Sequence, residues 1–133
     1  AIKEASGNMS QIAEIASLVE GKMDIYSGND DQIVPVLSLG GKGVISVLSN
    51  VMPKETHDIV ADYLGGNAPR ATEMQLKLLD LIDALFCEVN PVPAKTAMAM
   101  LGFCTEEFRL PLCEMEDANR ARLTAAMKKH GLL

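Results

Sequence analysis

The sequence predicts an α/β fold: the C-terminal half of a (β/α)8 barrel, three βα units, followed by a helical C-terminal extension. Three observations carry this. Over residues 1–66, short strand-type runs alternate strictly with amphipathic helical runs. The strand centres, near Lys3, Ile25 and Ser46, lie about 21 residues apart, a spacing that suits parallel strands joined by right-handed crossovers. From residue 67 the pattern is helical only, and a complete barrel takes about 250 residues, roughly twice this 133-residue chain.

Each element has its own signal. "AIKEA" (1–5) reads as a strand whose side chains alternate between two faces. Residues 8–21 change to helical period, with Asn8 as N-cap, Ile12, Ile15, Ala16 and Val19 on one stripe, and Gly21 as the stop. "MDIYSG" (23–28) is a second strand, and 30–41 a helix with Pro35 near its first turn. "KGVISVLSN" (42–50), rich in Val and Ile, reads as a third strand, and Pro53 opens a helix that Gly65–Gly66 close. Beyond it, 68–86 reads as one long amphipathic helix, 94–102 as another and 116–131 as the last, with Lys128, Lys129 and His130 complementing its C-terminal dipole. Residues 1–66 are therefore expected to form barrel strands six to eight with their helices, and 67–133 the extension. The first residue is Ala, already inside an apolar strand, so residues are expected to precede it.

Composition narrows the function. Twelve basic against eighteen acidic residues give a net charge of −6, which argues against a nucleic-acid surface and for small metabolites or proteins as partners. No run approaches the ~20 apolar residues that cross a bilayer. Three cysteines, Cys87, Cys104 and Cys113, lack CxxC spacing; they read as free, small buried hydrophobes in a reducing cytoplasm rather than a disulfide or zinc framework. No metal and no cofactor is expected. "GGKG" (40–43) lacks the Walker order, Asp30 and Asp31 read as acids favouring a helix N-terminus, and the acids at 106–117 as a solvated face. The eight methionines read as core filler.

Lys3 is the residue that invites chemistry. It is either a strand-end lysine reaching water or a Schiff-base nucleophile at the carboxyl end of a barrel strand, where barrel active sites sit. Only a neutral amine attacks a carbonyl, and at an ordinary lysine pKa of about 10.4 roughly one amine in 2,500 is neutral at pH 7. Burial in a barrel can raise that fraction.

"AIKEASGN" (1–8) resembles the Schiff-base strand and turn of the dihydrodipicolinate synthase family, usually G-[IV]-K-E-A-[ST]-G-[ND]. "YSGNDD" (26–31) is similar to that family's SGDD strand end, and "LGGKGVISVLSNV" (39–51) to its GGxGVISVxxN segment. "NPVPAK" (90–95) and "RLPL" (109–112) match its helical extension in order and spacing. The resemblance covers the whole chain. It implies a TIM barrel lyase that condenses pyruvate with aspartate semialdehyde towards diaminopimelate and lysine. Lys3 would form the imine, and Gly28 and Ile45 would line the pyruvate pocket, with an ordinary turn glycine and barrel filling as their plainer readings.

The family's proton-relay tyrosine and threonines, its carboxylate-binding arginine and its lysine feedback site belong to the preceding half of the barrel. Neither Tyr26 nor Tyr63 matches the relay. The resemblance therefore implies a chain inactive by itself, a homo-oligomer or one in need of the missing N-terminal half. Family tetramers use a region like that around Met9 and Leu39. Half of another pyruvate aldolase of the same superfamily, or a non-catalytic half-barrel assembly module, are the alternatives.

Overall fold

The computed structural model describes all 133 residues. Ile2–Glu4 (β1), Ile25–Ser27 (β2) and Gly43–Val44 (β3) pair into one parallel sheet of order β1-β2-β3. Lys3 stands opposite Tyr26, and Tyr26 opposite Gly43. The ladder runs one bond further at the carboxyl ends, where Gly28 N–H donates to Glu4 C=O (2.7 Å) and Ile45 N–H to Ser27 C=O (2.8 Å). Lys3, Gly28 and Ile45 therefore gather at one end of the sheet.

The helices α1 (Met9–Val19), α2 (Ile33–Ser38) and α3 (Pro53–Leu64) complete the three βα units. Asn8 caps α1, its Oδ1 accepting from Ser10 N–H (3.1 Å) and Gln11 N–H (3.3 Å). The helix ends at Glu20, held at a left-handed φ of 48°, and Gly21 continues in that region at 73°. Ile12 on its inner stripe meets Ile25 and Val36 in a small apolar cluster.

Two sequence expectations need correction. The third strand is two residues long rather than nine, because the chain after Ile45 leaves the sheet and turns into a 3-10 segment at Leu48–Asn50. The helix expected over 68–86 is two helices, α4 (Ala68–Lys77) and α5 (Leu79–Leu85), broken at Leu78. Each half follows a different partner: α4 packs on α3 and α2, whereas α5 packs on α7 (Asp117–Lys129). Gln75, nearly buried, ties α4 to the start of α2 by donating to Asp31 C=O (2.5 Å) and accepting from Val34 N–H (2.7 Å).

The main core, of 18 buried residues, runs from α2 through α6 (Val92–Met100) to α7, with Leu48, Ile59, Leu81, Leu85, Leu123 and Met127 fully enclosed. Leu81→Ala is expected to cost about 2–5 kcal/mol, the usual range for a buried leucine truncated to alanine. A urea titration checks this by a lower midpoint at unchanged slope.

Polar clamps hold α7 down. The Arg120 guanidinium grips Glu106 with both nitrogens, one at 2.6 Å, while the Thr96 hydroxyl donates to the same carboxylate (2.9 Å). Glu106 is thus an inward anchor rather than part of a solvated face, and these bonds hold its carboxyl below the usual range. Asp80 accepts from Lys129 and pairs with the nearly buried His130, each at 2.8 Å. Burial raises the Asp80 carboxyl, but those two bonds outweigh it and bring it down to about 2.

A folded-state pKa below the unfolded one makes this contribution complete above about pH 4 and lost as the pH falls through about 2. The difference in urea midpoint between the parent chain and Asp80→Asn is expected at neutral pH and should shrink through that window. A gap independent of pH would contradict the ion-pair account.

The cysteines are all free, as expected, but Cys104 and Cys113 are exposed and Cys87 half-buried. The two exposed thiols sit in the irregular segment between α6 and α7, from which Leu101, Phe108, Leu112 and Met115 rather than the cysteines pack on the core. Burial does raise the Cys87 thiol. Of the methionines, Met115 and Met127 are core residues, and Met23 is exposed. No helix is long and apolar enough to cross a membrane.

Candidate functional site

A cleft of about 430 Å3 opens at the carboxyl end of the sheet. Lys3 from β1 forms one wall, the turn Ile45–Val47 after β3 a second, and Asn90, Pro91 and the α6 residues Ala94, Lys95 and Met98 a third. The lining is largely apolar near Ile45, Val47 and Met98, and its two charged side chains, Lys3 and Lys95, are both cationic. On a chain of net charge −6, such a cleft suits a small anion with an apolar body. A larger cleft of about 500 Å3 lies between α3, α4 and α7, but none of Lys3, Gly28 and Ile45 reaches it.

Strand alternation points Lys3 and Glu4 to opposite faces. Glu4 is buried, and its carboxylate accepts from Ser6 N–H at 2.6 Å. Hydrogen bonds from Ser6 hold that carboxyl below the usual range. Glu4 is therefore occupied with the turn and does not neutralise Lys3. No ion pair engages Lys3, which is exposed along the open side of the sheet. Exposed and unpaired, Lys3 fits a strand-end lysine reaching water as well as it fits a nucleophile.

Gly28 is a glycine for reasons of space. Its φ is not among the positive values that relieve a turn, so its backbone could be adopted by other residues. A Cβ at this position would instead stand 2.6 Å from Ala5 Cβ, 2.9 Å from Lys3 Cε and 3.2 Å from Glu4 C=O. Ala5 Cβ is the nearest atom to the place where a side chain would be, and the flexible stem of Lys3 passes beside it. Ile45, half exposed in this chain, lines the cleft. The three residues singled out from the sequence thus share one locality, Lys3 and Ile45 as lining and Gly28 beneath the lysine.

Lys95 went unmarked in the sequence. Its Nζ donates to Glu107 C=O and lies 5.4 Å from the Phe108 ring centroid, so its charge is anchored at the cleft mouth. The "NPVPAK" match was the available signal.

Asp30 was misread. It does not serve as a simple helix-terminal charge; it is fully buried, and its Oδ2 accepts from Val47 N–H (2.9 Å) and Leu48 N–H (3.1 Å). The Ser46 hydroxyl donates to Oδ1. Its neighbour Asp31 remains exposed, with burial still raising its carboxyl. No group of three or more His, Cys, Asp or Glu side chains is arranged to hold a metal ion.

Comparison with known proteins extends these observations. The profile of the Dihydrodipicolinate synthetase family matches residues 1–130. The chain is 59% identical over 132 residues to a 4-hydroxy-tetrahydrodipicolinate synthase of Caldicellulosiruptor bescii, covering 99% of this chain and 44% of that protein. It is 53% identical over 133 residues to the enzyme of the same name from Clostridium tetani, covering 45% of it. Among solved structures, dihydrodipicolinate synthase from Aquifex aeolicus superposes with a TM-score of 0.94 at 45% identity, over 98% of this chain and 44% of that one. The Thermotoga maritima enzyme gives 0.96 at 41% identity, over 99% and 46%.

The chain therefore spans a little under half the length of the relatives it matches. Its fold is the C-terminal half of a (β/α)8 barrel with the helical extension. With the profile match running across nearly all of its length, the chain belongs to the dihydrodipicolinate synthetase family.

Proposed function

We propose that this chain carries the imine-forming half of a 4-hydroxy-tetrahydrodipicolinate synthase, which condenses pyruvate with aspartate semialdehyde on the route to diaminopimelate and lysine. The observation that carries the proposal is Lys3, crossing Gly28 without an ionic partner and lining a cationic, largely apolar cleft. Its amine attacks the pyruvate ketone carbon, and the carbonyl oxygen leaves as water. The resulting imine draws electrons from the methyl carbon. Loss of a methyl proton then gives an enamine, and that carbon attacks the aldehyde.

Ile45 and Gly28 have separate parts in this reading. The backbone and side chain of Ile45 bound the keto acid, while the bare Cα of Gly28 gives the lysine stem its path. The positive charge of Lys95 at the mouth favours anionic substrates. Residues 1–66 supply the reacting groups, and 67–133 close one side of the cleft through α6. The outer edges of β1 and β3 have no neighbouring strand, which supports the remaining barrel strands as the natural partner.

Proton transfer and capture of the aldehyde's carboxylate are assigned to the N-terminal half. The 133-residue chain mixed with pyruvate and aspartate semialdehyde is therefore expected to give no product above the enzyme-free rate. Product should appear when the N-terminal half of the barrel is added. Turnover by the chain alone would overturn this division of labour.

A further inference from the structure

We propose that Asp30 is a positioning residue for the imine step: its buried carboxylate holds the turn after β3 in the place where that turn receives the keto acid. The proposal rests on the reading of Lys3 given above. Asp30 is completely enclosed and has no Lys, Arg or His partner. A buried carboxylate without a cation persists only when hydrogen bonds satisfy its oxygens. Three do so here, from Ser46 Oγ, Val47 N–H and Leu48 N–H.

The direction of these bonds is informative. A carboxylate that merely started its own helix would be served by the amides that follow it. Those of Asp30 reach a different unit of the fold, 16 to 18 residues along. They begin where the sheet stops: Ile45 N–H still pairs with Ser27 C=O, and the amides of Val47 and Leu48 then turn to Asp30. Asp30 thus stands in for a neighbouring strand and fixes the angle at which the chain leaves β3.

One wall of the cleft is held directly by that side chain. The turn it holds contains Ile45, Ser46 and Val47, all of which line the cleft with Lys3. Asp30 itself lies two residues beyond Gly28, over which Lys3 passes. Ser46 Oγ also accepts from Ser49 N–H (2.8 Å), so its hydroxyl proton is committed to Asp30 and its direction is set. The carboxylate touches no reacting atom in this scheme. It acts through the turn.

The test is reductive trapping of pyruvate on Lys3 with borohydride, followed against pyruvate concentration in the parent chain, Asp30→Ala and Asp30→Asn. Amide hydrogen exchange at Val47 and Leu48 is read alongside. Asp30→Ala is expected to raise the half-saturating pyruvate concentration about tenfold, with the limiting trapping rate little changed and protection at both amides lost. Asp30→Asn, whose Oδ1 can still accept both amides, is expected to recover most of the affinity. A purely structural role would lower the fraction of folded, reactive chain and leave half-saturation where it was.

Unchanged half-saturation in Asp30→Ala, with both amides deprotected, would overturn the proposal. If Asp30→Ala does not fold, Ser46→Ala carries the test, with a smaller shift in the same direction expected and no shift overturning it. Absence of any adduct in the parent chain is a distinct result: it removes the Lys3 reading, and the positioning role falls with it.

Discussion

Lys3→Arg is expected to abolish borohydride-trapped pyruvate on the chain, while its fold and thermal stability stay close to those of the parent. The substitution keeps length and positive charge at the mouth of β1. It removes the one property the chemistry needs, since a guanidinium does not deprotonate in proteins and offers no nucleophilic amine. Lys3 is exposed and makes no ion pair, so little packing or pairing is lost with it. The signal at this residue should fall to the background of the other lysines. Adduct persisting at the parent level would mean that another amine, Lys95 being the nearest candidate by position, carries the reaction.

Gly28→Ala is expected to slow trapping by about 100-fold through a single added methyl group. The new Cβ would fall 2.9 Å from Lys3 Cε and 2.6 Å from Ala5 Cβ, well inside van der Waals contact. Lys3 is the flexible member of that pair, so its stem swings away and the amine leaves its place. The clash with Ala5 is harder to relieve, because Glu4 C=O is tied to Gly28 N–H at 2.7 Å. Destabilisation of about 1–3 kcal/mol should follow, as for other overpacked sites. Trapping kinetics and a urea titration on the same preparation separate the two effects. A parental trapping rate in Gly28→Ala would show that the glycine serves the turn alone.

How far the sequence could be read depended on the range of the forces involved. The βα repeat was legible because its causes are local: period-2 and period-3.6 patterns, the Asn8 cap, Pro53 at a helix start and glycines at helix ends. The third strand was overextended because "GVISV" has every local mark of a strand. Its end is decided by Asp30, 17 residues before Val47, which takes two amides that would otherwise seek a neighbouring strand.

The break at Leu78 was equally hidden. "LKLLDL" contains no glycine or proline, and its apolar period continues unbroken; the break follows from α4 and α5 packing on different helices. Lys3 could be singled out by its motif, but the reason for Gly28 could not. Left-handed backbone is the usual cause of a fixed glycine, whereas here the cause is crowding by Ala5 Cβ, the Lys3 stem and Glu4 C=O. Exposure of Cys104 and Cys113 went against the tendency of free cysteines to be buried, for want of any regular element between α6 and α7.

The measurement that bears most directly on the whole account is a peptide-mapped mass spectrum of the chain after incubation with pyruvate and borohydride. The account predicts one dominant modified peptide, with the pyruvate carbon skeleton joined to Lys3 Nζ as a reduced secondary amine. An unmodified Lys3, or modification spread evenly over all the chain's lysines, would contradict it.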